Sequence, residues 1–122
     1  MALPNLKNPT YIYGKTARYA VPVESGGLPV EMLPAPGTGK TYKINSIFCA
    51  NVDGDNAADI SVSIYDGSTD RYLAKTITVP ADATQIISTK DTYFYLEEGD
   101  SIRAIASAAS DLELIIGYED IS

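Results

Sequence analysis

From residue 41 onward one device recurs along this chain: a short run in which apolar residues occupy every second position, closed by glycine, aspartate or proline. Alternation with period two puts one set of side chains on one face of a strand, whereas a helix needs a period near 3.6. DISVSIYD, residues 59–66, alternates Ile60, Val62 and Ile64 with polar neighbours, so it predicts one buried and one wet face. It ends in DGST, residues 66–69, a hairpin signal in which glycine supplies positive φ. RYLAKTITV, residues 71–79, returns as its partner until Pro80 stops it. Further strands are expected over 84–90, 92–96, 101–109 and 112–121, with LEEGD, residues 96–100, as a turn. In YKINSIFCANV, residues 42–52, the alternating set is Tyr42, Ile44, Phe48, Ala50 and Val52. AIASAAS is rich in a good helix former, but it is too short to nucleate a helix unaided. It is predicted as a strand whose small side chains face the opposite sheet or another subunit. The expected fold class is all-β: an antiparallel β-sandwich of about eight strands with jelly-roll or Greek-key connections.

Six of the seven prolines, at positions 4, 9, 22, 29, 34 and 36, precede residue 40. A proline cannot donate to a central ladder. Residues 1–40 are therefore expected to form an extended Pro-rich N-terminal arm and edge strands, over 10–23 and 28–33, and residues 41–122 the sandwich core, in one domain overall. Residues 1–8 are expected to be ordered only where something holds them.

The stretch PAPGTGKTY, residues 34–42, invites comparison with a phosphate-binding loop, G-x-x-x-x-G-K-[ST]. Pro34 stands where the first glycine belongs, and it has no N–H to offer a phosphate. The residues after Thr41 alternate as a strand, whereas the loop works by feeding a helix whose N-terminus faces the anion. A turn before a strand is the expected role.

Other chemistries are narrowed by composition. The sequence contains no histidine, which removes Ser-His, Cys-His and His-metal constellations. Glu97, Glu98 and Asp100 lie close together, as do Glu113, Glu119 and Asp120, but paired-carboxylate chemistry needs two groups facing across a cleft. No catalytic residue, cofactor or metal site is assigned, and the chain is not expected to be an enzyme. Residues 51–59, NVDGDNAAD, are rich in oxygen ligands, yet counting an EF-hand from Asn51 puts Asn56 where glycine is required and Val62 where glutamate is required. A turn is the expected use, with a calcium loop of another kind left open. Cys49, the one cysteine, is expected to be a buried inert thiol. A net charge of -7 disfavours nucleic acid and anionic membranes as partners, and no segment approaches ~18 consecutive apolar residues. The N-terminus lacks the continuous apolar run of a secretory signal, so assembly in a cytoplasm is expected.

Nine tyrosines and no tryptophan leave tyrosine as the principal contact aromatic. Leu3, Leu6, Tyr11, Tyr13 and Tyr19 are the candidate protein-interface residues, because the arm has too many prolines for core and too many apolar groups for a simple tether.

The run GKTYKINSIFCANVDGDNAADISVSIYDGS and the later VPADATQIISTKDTYFYLEEGDSIRAIASAASDLELIIGYEDIS resemble a group of small virion structural proteins of tailed bacteriophages, as does the opening MALPNLKNPTYIYGKTA. The resemblance covers nearly the whole chain. Its most specific pieces are a strand followed by NVDG, the turn at Val79 and Pro80, the L-E-E-G-D-S turn and the terminal Y-E. It implies a virion location and a head decoration (cement) protein that binds and stabilises the assembled capsid, with the major capsid protein or other virion proteins as partners. It further implies a homo-oligomer, a trimer by likeness to other cement proteins. A tail, neck, fibre or baseplate component and a carbohydrate- or receptor-binding module stay open as alternatives.

Overall fold

The structure is a computed structural model that describes residues 3–23 and 26–122. Among the described residues nine strands succeed one another in chain order: β1 Ile12–Ala20, β2 Val30–Leu33, β3 Thr41–Asn51, β4 Ala58–Tyr65, β5 Asp70–Val79, β6 Thr84–Ser88, β7 Phe94–Leu96, β8 Ser101–Ala106 and β9 Leu112–Ile121. A 3₁₀ turn, Lys90–Thr92, separates β6 from β7. One sheet has the order β1-β9-β3-β6, with β7 also on β3; the other has the order β2-β8-β4-β5. Every pairing is antiparallel.

The pairs nest. β4 meets β5, β3 meets β6 and β7, β2 meets β8, and β1 meets β9, so the chain is one long two-stranded ribbon folded over on itself. With β6 and β7 sharing one lane, this is the eight-lane arrangement of a jelly roll. The connections behave as their residues require. Gly67 and Gly99 adopt φ of 100° and 91° in the turns after β4 and β7, a region closed to most side chains. In the first of these the Asp66 carboxylate accepts the N–H of Ser68 and of Thr69 at 2.9 and 2.8 Å. Gly39 has φ of 74°, the Lys40 N–H closes a turn on Gly37 O, and the chain passes directly into β3, so the phosphate-loop lookalike is a turn before a strand.

The core lies between the sheets. Ile44, Ile47 and Cys49 from β3, Leu114 and Ile116 from β9, Ile60 and Val62 from β4, and Ile102 and Ala104 from β8 are wholly buried. Ala104 and Ala106 are core residues, so the small side chains of β8 face the opposite sheet. That strand ends at Ala106, three residues short of its expected end; the chain then turns, with Ser110 at φ 65°.

The face assigned to β3 needs correction. Strict alternation put Phe48, Ala50 and Val52 with Ile44, but the register against β9 shifts between Ile44 and Ser46. The extra residue of this bulge reverses the alternation, so Ile47, Cys49 and Asn51 point inward while Phe48 and Ala50 are half-buried outside. In β1 and β9 the pattern is unbroken: the nine pairs run from Ile12↔Ile121 to Ala20↔Glu113 without a shift.

Candidate interaction surface

The carboxylates do not converge. On β9, Glu119 lies outward, with Oε2 at 3.9 Å from Lys43 and accepting from Asn45 at 3.3 Å. Asp120 lies inward, almost fully buried, and accepts from Lys15 at 3.0 Å. That bond, with the attraction of the Asp120 charge, raises the Lys15 pKa above its ordinary value. Glu97, Glu98 and Asp100 share the turn after β7, where burial, then the charge of Glu97, raises Asp100.

The oxygen-rich loop at 51–59 turns its ligands on its own backbone. Buried Asn51 donates to Asn56 O and Val79 O at 3.0 and 2.9 Å, and its carbonyl accepts the Asp53 N–H. Asp53 in turn accepts the N–H of Asp55 and Asn56, which lowers its pKa, the Asp55 bond having the larger effect. Neighbouring Asp111 is raised by burial and by the charge of Asp53. Among the described residues, no group of three or more His, Cys, Asp or Glu side chains is arranged to hold a metal ion.

The five interface candidates fall into three places. Leu3 and Leu6 border a hollow of about 260 Å³ with Thr41, Tyr95 and Glu97, so the start of the chain lies against the end of the β3/β7 pair. Tyr11 and Tyr13 stack on each other at 5.7 Å between ring centroids, with planes 10° apart, as residues two apart on one strand face can. Tyr19 stands apart: it is half-buried against the core, and burial is the first cause of its raised pKa. Leu3, Leu6, Tyr11, Ile12 and Tyr13 are between 50% and 55% exposed, an unusual concentration of open apolar surface in so short a segment.

The expected edge strand that carries the tyrosines is β1, at one end of its sheet; what sequence reasoning did not single out is how open that edge is. A sheet edge presents unpaired N–H and C=O groups, and proteins blunt edges by shortness, bulges and irregular backbone. β2 has only four residues and a register shift, and β6 has five and another. β5 carries two shifts and Thr76 at φ 53°. β1 alone among the edges is long and regular, with seven of its nine residues exposed. The signal was present in TYIYGKTARYA as alternation without a proline, but which side of the strand stays open depends on β9, a hundred residues away.

No family model matches the sequence, and no curated protein matches it either. Among solved structures, a chain of the crystal structure of the T13 IBDV viral particle is similar, with a TM-score of 0.48 and 11% sequence identity. The similarity covers 93% of this chain and 31% of that one, so this chain spans about a third of its length.

Proposed function

We propose that this chain is a structural protein of a virion, a head decoration (cement) protein that adheres to the assembled shell of a tailed bacteriophage. The carrying observation is the exposure of Leu3, Leu6, Tyr11, Ile12 and Tyr13 along one short segment at the edge of a jelly roll. Apolar and aromatic groups held on a firm scaffold suit a protein contact, because tyrosine buries area while keeping a polar tip. The sequence resemblance to small phage virion proteins supports the same reading. So does the use of carboxylates and loop oxygens for internal bonding, which favours a role without catalysis.

A protein that binds the assembled lattice but not its free subunits stabilises the shell by linkage. The major capsid protein is the proposed partner, and self-association belongs to the same proposal. The test is deletion of residues 1–8 and then co-sedimentation with shells that lack the protein. The truncated chain is expected to fold, judged by an unchanged β-type circular dichroism spectrum, and to remain in the supernatant. Undiminished pelleting with shells would remove the arm from the proposal.

A further inference from the structure

We infer that the open edge of β1 pairs with β1 of a second copy of this chain, antiparallel about a two-fold axis through Thr16. The inference deepens the proposed self-association and gives it two-fold order in place of the three-fold order expected from resemblance.

Which groups are free is set by the bonds at the two ends of β1. Tyr11 and Ser122 exchange N–H···O bonds of 3.0 and 2.9 Å, and the Val21 N–H donates to Leu112 O at 2.9 Å. In an antiparallel ladder the bonded residues alternate along the strand, so the odd-numbered residues of β1 turn their N–H and C=O toward β9. Ile12, Gly14, Thr16, Arg18 and Ala20 turn theirs to the open side. Pairing about Thr16 sets Thr16 against itself, Gly14 against Arg18 and Ile12 against Ala20. Each open-side group then meets a complementary one along the full strand. Shifting the axis to a neighbouring residue leaves the end groups unpaired, and placing it on Lys15 opposes two lysines.

The side chains agree with that register. On the face shared with the core, Tyr13 falls opposite Tyr19 of the second copy, twice over, and aromatic cross-strand pairs are favourable. On the outward face Arg18 falls opposite Gly14, where an added side chain would meet nothing within 4 Å. Beyond Gly14 on the same face lies its β9 neighbour Glu119. Arg18 makes no ion pair with any described residue of its own chain, and both contacts of Glu119 fall on Oε2, which leaves Oε1 for the guanidinium of the second copy. The occupant is thus fixed by charge as well as backbone: a basic residue of each copy crosses a glycine to reach a carboxylate of the other.

The experiment uses the full chain alone, without shells, so that its failure and failure of the decoration reading are separate results. Light scattering after size exclusion at about 100 μM is expected to give twice the 13.0 kDa chain mass. Thr16→Pro removes an open-side N–H and no bond to β9, and it is expected to give a folded monomer. Arg18→Glu opposes Glu119 without touching the backbone, and it too is expected to shift the mass toward the monomer. Thr16→Cys should form a disulfide-linked dimer under mild oxidation, because the axis brings the two Cα atoms to about 5.5 Å; Thr78→Cys, on the distant edge strand β5, should not. A wild-type monomer, a trimer, or a dimer that persists in both Arg18→Glu and Thr16→Pro overturns the inference. So does equal cross-linking at positions 16 and 78.

Discussion

Thr76 is a strained residue, a β-branched side chain at φ 53° in an exposed strand. It is held there because its N–H donates to Ser61 Oγ at 2.9 Å across the bulge in the β4/β5 pair. Left-handed backbone costs such a residue about 1–2 kcal/mol. Thr76→Asn keeps the N–H and tolerates the conformation, so it is predicted to stabilise by about 1 kcal/mol, raising Tm by about 4 °C. A lower Tm would show that the threonine side chain itself holds the bulge. Cys49 tests the core in another way: it is wholly buried, and burial pushes its thiol up to about 11. It is predicted to ignore a thiol reagent in the native protein at neutral pH and to react fully once denaturant unfolds the chain. Rapid native labelling would contradict the inward face of β3. Asp53 and Asp66 are both held below the ordinary carboxylate range by backbone N–H donors. Their stabilisation is present above the unfolded-state pKa and is lost as pH falls through the lowered folded values. Melting temperature should therefore drop on acidification below about pH 4, and Asp66→Asn should flatten that drop while lowering stability at neutral pH. Asp100 and Asp111, raised mainly by burial, work in the opposite sense, since stability is lost as pH rises through their elevated values.

At the scale of elements, one side chain of β8 ties the entry of β2 to the sheet, beside the backbone ladder and the buried Leu33. Arg103 donates to Pro29 O at 2.6 Å just before β2, pairs with Asp70 at 3.2 Å and lies over the Tyr65 ring at 4.2 Å from its centroid. Four residues of edge strand have little else of this kind to fix them. Arg103→Ala is predicted to cost about 2 kcal/mol, and hydrogen exchange should accelerate first in β2; uniform acceleration over both sheets would contradict the local role. Elements of this kind were legible in the sequence wherever local pattern decides them. Ile60, Val62 and Ile64 announced β4, DGST announced its hairpin, and the prolines confined β1 and β2 to sheet edges. The bulge at Asn45 was not legible, because one inserted residue leaves no local mark yet flips every later side chain of β3. Strand partners were not legible either. The nearest hairpin, β4 with β5, is implied by its turn, but β1 with β9 closes the longest loop in the chain, and nothing in TYIYGKTARYA names its neighbour. The same limit applies to the interaction surface. Exposure of Leu3, Leu6, Tyr11 and Tyr13 could be anticipated from composition, whereas the pairing of Arg18 with Gly14 and Glu119 has meaning only once β9 is in place.

At the scale of the whole molecule, the proposed role is that of a β-module working by adhesion, its arm toward a shell and its β1 edge, with Tyr13, toward a second copy. No described helix is long and apolar enough to cross a membrane. Copy number separates decoration from the tail, neck or fibre alternative, because a shell-covering protein is needed in proportion to the shell. The decisive measurement is quantitative mass spectrometry of gradient-purified particles from infected cells that make this chain. The chain is expected in the particles at an abundance comparable with the major capsid protein; its absence from them, with all of it free in the lysate, would contradict a structural role in the virion.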